Sequence, residues 1–307
     1  MTISITRAIK PPIVLESPVM NASGTMGFAD EYADLIKFEK LGAFVTNPVT
    51  LNRRDPANWP HIIPLDGGIL VHTGHPNDGL YETVSTHQQQ WDRMPVQILM
   101  HILATTPFEV KTCFEYLETI DAVEGIELGL RDDIEDGDLI EFVKLATRCE
   151  KPVLVQLPFN IAPNLVKRIS DLGVDGLVLC APPRVTARDS IGKLVAGRLY
   201  SPVIKPMMLR MVGQLAREID VPIVACGGIH STQDAYDFLE AGAKAVQIDS
   251  LVWTHPAKVE IIARDLGGWV LTQPSGAMPD EWYPGFGETA RYGPNDPSES
   301  QKGQPKR

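Results

Sequence analysis

Short apolar runs alternate with segments of helical periodicity along most of the chain. The runs are Pro18–Asn21, Ala43–Thr46, Val96–His101, Gly125–Leu130, Val153–Leu157, Gly176–Cys180, Pro222–Ala225 and Ala245–Ile248. They are apolar at consecutive positions rather than at every second one, as strands buried on both faces are. Between them, apolar residues recur at three- and four-residue spacing in Glu31–Lys40, Thr106–Ile120, Asp138–Arg148, Pro163–Leu172, Met207–Ile219 and Thr232–Ala241, which predicts helices. Gly42, Gly173 and Gly242 fall just past three of these segments, where a glycine stops a helix. Eight strands alternating with helices predict an α/β fold, a (β/α)8 TIM barrel. Thr2–Thr6 and Ile13–Leu15 flank Lys10-Pro11-Pro12 and predict a short N-terminal β-hairpin that closes the barrel bottom.

Two connections are too long for a bare helix: Pro48–Pro95, after strand 2, and Ala181–Arg210, after strand 6. Insertions at the C-terminal ends of barrel strands usually cover a site. The barrel is expected to be one domain over residues 1–271. Residues 272–307, rich in Pro, Gly, Ser and charge, read as a C-terminal extension. Trp282, Tyr283 and Phe286 are its candidates for docking, and its last part carries too little apolar surface to fold.

Composition narrows the function classes. The 307 residues are 44% hydrophobic and 22% charged, which allows a substantial core. A net charge of −11 without a long basic run argues against nucleic-acid binding. No apolar stretch reaches the length of a membrane span, and the N-terminal segment lacks the pattern of a signal peptide. Cys113, Cys149, Cys180 and Cys226 are widely spaced and read as reduced thiols of a cytoplasmic protein, with neither a disulfide frame nor a metal site.

The densest chemical signal is VPIVACGGIHSTQDAYDFLEAGAKAVQIDSLVW, residues 221–253. It reads as strand, Gly227-Gly228 loop, helix, strand. Two glycines at a strand's C-terminal end let backbone N–H groups approach an anion, and the last two βα loops of TIM barrels frequently hold phosphate. A plain βα unit with a tight turn explains the same residues. His72 and His75, in HTGHPNDG, are either acid–base groups or loop histidines with backbone partners; no complete metal ligand set accompanies them.

Seven segments in order resemble the dihydroorotate dehydrogenase family of flavin-dependent TIM barrels. They are SPVMNASGTMGFADEY, KLGAFVTNPVTL, GGILVHTGHPNDGL, GIELGLRDD, PVLVQLP, GRLYSPVIKPMMLRMV and VACGGIHSTQDAYDFLEAGAKAVQIDS. The resemblance implies FMN as cofactor, a small-molecule substrate, a cytoplasmic homodimer and a place in pyrimidine biosynthesis. Ala22, Ser23 and Gly24 match the segment along the flavin ring. Cys226, Gly227 and Gly228 match the first half of the phosphate grip, and Ser250 the second. Asn47 and Gln156 stand where the family has lysines toward the flavin. Asn77, Arg131 and Arg198 fall at candidate substrate contacts.

The departures fall on the chemistry. Gln156 supplies a neutral amide where a lysine would supply charge. The family's asparagine in strand 4 is Gly129, and its base loop is Arg131-Asp132-Asp133. Asp132 falls at the base position, although an acidic run of this kind also serves as a solvated helix cap. His72 replaces an asparagine, Tyr200 stands where the family has serine, and Asp249 replaces the glycine before the phosphate-contacting residue. Asp132, His72 and Tyr200 are therefore the catalytic candidates. Two readings follow: an FMN-binding oxidoreductase with an altered substrate, or a repurposed barrel without flavin redox activity that binds another phosphorylated or anionic ligand or serves as a partner subunit.

Overall fold

The computed structural model describes residues 2–272. The docking expected of Trp282, Tyr283 and Phe286, and the extension from residue 273 onward, lie outside the described residues.

Eight parallel strands close into a barrel. In barrel order they are β3 (Val19–Asn21), β4 (Ala43–Val45), β7 (Gln97–Leu103), β8 (Gly125–Gly129), β9 (Val153–Leu157), β10 (Gly176–Leu179), β13 (Ile223–Cys226) and β14 (Ala245–Ile248), which pairs back onto β3. Each coincides with an apolar run of the sequence. The helices are α1 (Leu80–Trp91), α2 (Pro107–Glu118), α3 (Asp136–Ala146), α4 (Pro163–Asp171), α5 (Lys205–Leu215), α6 (Thr232–Glu240), α7 (Leu251–Thr254) and α8 (Pro256–Thr272). Thr106 and Ser231 cap α2 and α6 by accepting the N–H of Glu109 and Asp234.

The strands carry two cores because their residues alternate in direction. Residues such as Val19, Ile126, Val153 and Val246 face the helices. Met20, Leu99, Leu154, Val178, Val224 and Ala245 fill the lower barrel interior. The predicted hairpin is β1 (Ile3–Ser4) with β2 (Val14–Leu15). It plugs the floor: Ile5 and Ile13 belong to the interior cluster and press on Gly176 and Gly125 at the starts of β10 and β8. Lys10 at the hairpin tip pairs with the fully buried Asp175 at 2.9 Å.

One predicted helix is absent. Residues 31–40 form turns and a short 3-10 helix, Phe38–Lys40. The Glu31 carboxylate accepts the N–H groups of Phe28 and Ala29, each at 2.7 Å, and so holds a turn. Lys37 is extended, with ψ of 107°, which ends any helix begun before it.

The two insertions meet. Strands β5 (Ile62–Leu65) and β6 (Gly68–Val71), from the insertion after β4, join β11 (Arg184–Arg188) and β12 (Leu194–Tyr200), from the insertion after β10, in one antiparallel sheet of order β11-β12-β6-β5. Residues Arg198, Leu199 and Tyr200 pair with Val71, Leu70 and Ile69.

Candidate active site at the barrel mouth

Above the apolar floor the barrel interior becomes polar. β7, β8, β9 and β14 point His101, Glu127, Gln156 and Gln247 inward, all buried. The wholly buried Glu127 organises them. It accepts from His101 Nδ1 at 2.7 Å and from Gln247 Nε2 at 2.6 Å, with Gln156 Nε2 at 3.4 Å. A carboxylate is tolerated at such a position only because its lone pairs are met. With Nδ1 engaged by Glu127, Nε2 is the ring nitrogen left for other partners. Nε2 faces the end of β8: a Cβ on Gly129 would collide with it, and would also meet Leu103 Cδ2 at 2.7 Å.

The roof brings further charge to this point. Arg198 on β12 holds Asp132 in a two-pronged ion pair, with Nη1–Oδ1 at 2.8 Å and Nη2–Oδ2 at 2.7 Å. The expected base and an expected substrate contact therefore neutralise one another. Such a fork restrains both side chains. His75 adopts a left-handed backbone, φ 55°. Burial, with help from nearby His101, Arg198 and Arg54, pushes its imidazole down to about 4, so it is neutral at pH 7. His72 is half-buried in the roof, where its N–H donates to the His61 carbonyl at 2.6 Å.

Two expected substrate contacts are otherwise engaged. Arg131 pairs with Asp133 through two bonds of 2.9 Å on an exposed loop. Asn77 is buried and ties its own loop together, accepting from Gly79 N at 2.9 Å and donating to Thr50 Oγ1 and the His75 carbonyl.

The ring-side segment is built from strand ends. Ala22 continues the β3 ladder to the Ile248 carbonyl, Ser23 Oγ donates to the Thr46 carbonyl at 2.9 Å, and Gly24 turns the chain at φ 82°. Asn47 Oδ1 accepts the Gly27 N–H at 3.2 Å.

The last two βα loops converge as the glycine pair predicted. Gly227 and Gly228 have φ of 105° and 76°. Gly228 lies so close to Lys205 that a Cβ would meet the Lys205 nitrogen at 2.7 Å. The Lys205 ammonium, however, is held by Asp234 at 2.6 Å and Asp237 at 2.5 Å. Asp249 occupies the centre of these loops, 1% exposed. Its Oδ1 accepts the Ser250 N–H at 2.5 Å and the Ser250 hydroxyl at 3.0 Å. His230 Nε2 reaches the same hydroxyl at 3.1 Å. Burial pushes the Asp249 carboxyl above its usual range, against the opposing pull of Ser250, His230 and the Gly228 N–H. Tyr200, itself buried, packs edge-on against Trp253 at 4.9 Å, and its phenol is raised first by burial and then by the Asp249 charge. Cys226 is raised by burial, with Asp249 the next cause.

FMN fits one end of this site and not the other. Its ring would meet neutral partners, Gln156 and the Ala22–Gly24 segment, that can hydrogen-bond without opposing it. Its phosphate would meet a buried carboxylate that already uses the Ser250 donors, with the adjacent lysine engaged elsewhere. A phosphate ester does not fit that end as it stands.

Among the described residues, no group of three His, Cys, Asp or Glu side chains is arranged to hold a metal ion, and all four cysteines are free and buried. Sequence reasoning missed His101, Glu127, Gln247 and His230. The signal for the first two was a histidine and a glutamate each inside an apolar strand run, ILMHIL and GIELG.

Comparison with known proteins gives a consistent result. The family model described as dihydroorotate dehydrogenase matches residues 11–269. The chain is 31% identical over 276 residues to the dihydroorotate dehydrogenase B (NAD(+)) catalytic subunit of Pelobacter propionicus, covering 83% of this chain and 90% of that protein. It is 30% identical over 274 residues to the protein of the same name from Trichlorobacter lovleyi, with 83% and 90% covered. For the one from Thermoanaerobacter pseudethanolicus the identity is 31% over 267 residues, with 81% and 88% covered.

Proposed function

The chain belongs to the dihydroorotate dehydrogenase family, and on that premise we propose that it is an oxidoreductase of that type which holds a flavin ring at the barrel mouth and acts on a small substrate other than dihydroorotate. The observation that carries this reading is the buried His101–Glu127 pair, 2.7 Å apart, whose free ring nitrogen faces Gly129 in place of the family's asparagine.

A flavin, when bound, supplies a two-electron acceptor for hydride. The chain's own residues then handle position and protons. Glu127 fixes the His101 tautomer and steadies the ring when it is protonated, as an orienting carboxylate does for a general base. His101 Nε2 takes or returns the substrate proton. His75, neutral at pH 7, offers a hydrogen bond without adding charge. Gln156 and Ser23 line the ring side. The Arg198–Asp132 pair closes the substrate side beneath the roof, and Tyr200 and His72 bound the pocket. FMN is the flavin that family membership implies, and the loops of Gly227, Gly228 and Ser250, where its phosphate would fall, are the end of the site that does not fit it. The same reading takes the protein as a cytoplasmic homodimer without a nucleic-acid partner. No helix among the described residues is long and apolar enough to cross a membrane.

The experiment is direct. The purified protein is scanned for flavin absorbance, titrated with riboflavin and FMN, and assayed with dihydroorotate. Flavin binding with no dihydroorotate turnover supports the proposal. Ordinary dihydroorotate oxidation overturns the altered substrate, and no binding of any flavin overturns the oxidoreductase reading. A second reading, the repurposed barrel without flavin redox activity, is favoured by the buried Asp249 carboxylate in the phosphate loops. It would take an anionic ligand or a partner subunit instead.

A further inference from the structure

We infer that the Asp249 carboxylate is a built-in substitute for a ligand phosphate, so that this barrel binds a ring ligand lacking a terminal phosphate at least as well as its phosphate ester. The inference rests on the flavin-ring reading for the identity of the ligand, but its physical content concerns the phosphate loops alone.

Three observations converge. The first is occupancy. A phosphate held at this end of a barrel takes backbone N–H groups and a hydroxyl from the last two βα loops. Here the Ser250 N–H and hydroxyl both donate to Asp249 Oδ1, at 2.5 and 3.0 Å, and the Gly228 N–H faces the same carboxylate. The donor set is intact, and an internal anion has taken it.

The second is charge. A dianion added beside a carboxylate needs a cation to offset the repulsion. Lys205 belongs to the backbone packed on the glycine pair, its backbone nitrogen 2.7 Å from where a Gly228 Cβ would lie. Its side chain is turned onto α6, between Asp234 and Asp237. The remaining neighbour, His230, shares the Ser250 hydroxyl.

The third is space. Tyr200 stands where the family has a serine, is 6% exposed, and packs on Trp253 at 4.9 Å. A phenol over the loops and a carboxylate within them together take the place that a small loop residue and a glycine would leave free. The same two positions that fill the seat are two that depart from the family.

The test uses the full-length protein and compares riboflavin with FMN by quenching of flavin fluorescence. Wild type is expected to bind FMN no more tightly than riboflavin. D249G, which restores the family's glycine, is expected to shift the ratio toward FMN by about tenfold or more. D249N keeps the side-chain volume and removes the charge, and is expected to shift the ratio the same way by less. A wild-type preference for FMN of about tenfold or more would overturn the inference. So would an unchanged ratio in both variants. A flavin-independent readout separates this inference from the reading it rests on. Inorganic phosphate is expected to raise the Tm of D249G and not that of wild type. If no flavin binds any of the three proteins but phosphate stabilises D249G alone, the flavin reading fails and the substitution of Asp249 for phosphate stands. If phosphate stabilises all three equally or none, the substitution fails.

Discussion

His101 and Gly129 occupy one space between them. They lie on adjacent strands, and the imidazole of the first fills the room that any side chain on the second would need. The strand-4 glycine is therefore required by the histidine. G129A is expected to destabilise the protein by about 1–3 kcal/mol, the usual cost of overpacking. H101A on its own takes the 2.7 Å partner from one oxygen of the buried Glu127 and costs a similar amount. In the double variant the two costs are not additive, because removing the ring makes room for the methyl group. Chemical denaturation of the four proteins measures the coupling, and strict additivity would sink the account.

Asp132 and Arg198 are expected to behave as one structural unit. The pair is largely buried, at 13% and 21% exposed. Truncating one partner leaves the other charge unmatched, so R198A or D132A is expected to cost about 3 kcal/mol. The double variant is expected to cost less than the sum. Urea midpoints of the set decide the matter; a D132A protein of unchanged stability would mean the pair does not persist in solution.

His75 is expected to titrate well below an ordinary histidine. Its folded value is pushed to about 4 from 6.5. The folded protein thus binds this proton less readily than the unfolded chain, and stability rises with pH across that interval. Its contribution is whole above 6.5, declines as pH falls toward about 4, and is flat below. Ring-proton chemical shifts followed by NMR give the midpoint directly, and H75N is expected to flatten this part of the stability profile.

Asp249 works in the opposite direction. Its carboxyl is raised above the usual 3.8 by burial. The folded protein holds this proton more tightly than the unfolded chain, so wild type loses stability as pH rises from 3.8 through the folded value. D249N lacks that loss. The difference in Tm between D249N and wild type is expected to grow in favour of the variant as pH rises above 3.8. A difference independent of pH would show that the carboxyl titrates normally.

The frame was legible because the barrel strands are buried on both faces and so read as uninterrupted apolar runs. The hairpin at the floor was legible from Lys10-Pro11-Pro12, and the glycine pair marked the βα loop it sits in. Helix α1 was missed although Leu80, Val84 and Trp91 recur at helical spacing and are buried; polar residues between them hid the stripe inside a segment read as a covering loop. The sheet over the mouth was illegible, since its strands pair across the chain and no local pattern announces the partner. The site was half legible. The place of Gly227, Gly228 and Ser250 in the last two βα loops followed from motif and spacing. His101 and Glu127 did not, because a polar layer inside a barrel is specified by residues on four separate strands that meet only when the barrel closes. Likewise the pairing of Asp132 with Arg198 depends on the roof.

That roof also dictates an order of assembly. The three residue pairs joining β6 to β12 link segments made early and late in synthesis. Until the chain has been extended past Tyr200, β6 and β5 are a two-stranded ribbon with nothing to pair with. Contacts of such long sequence separation form late. The mouth of this barrel is therefore among the last parts to be built, and chains cut short before β12 would leave an unsatisfied strand edge open to pairing with a neighbour.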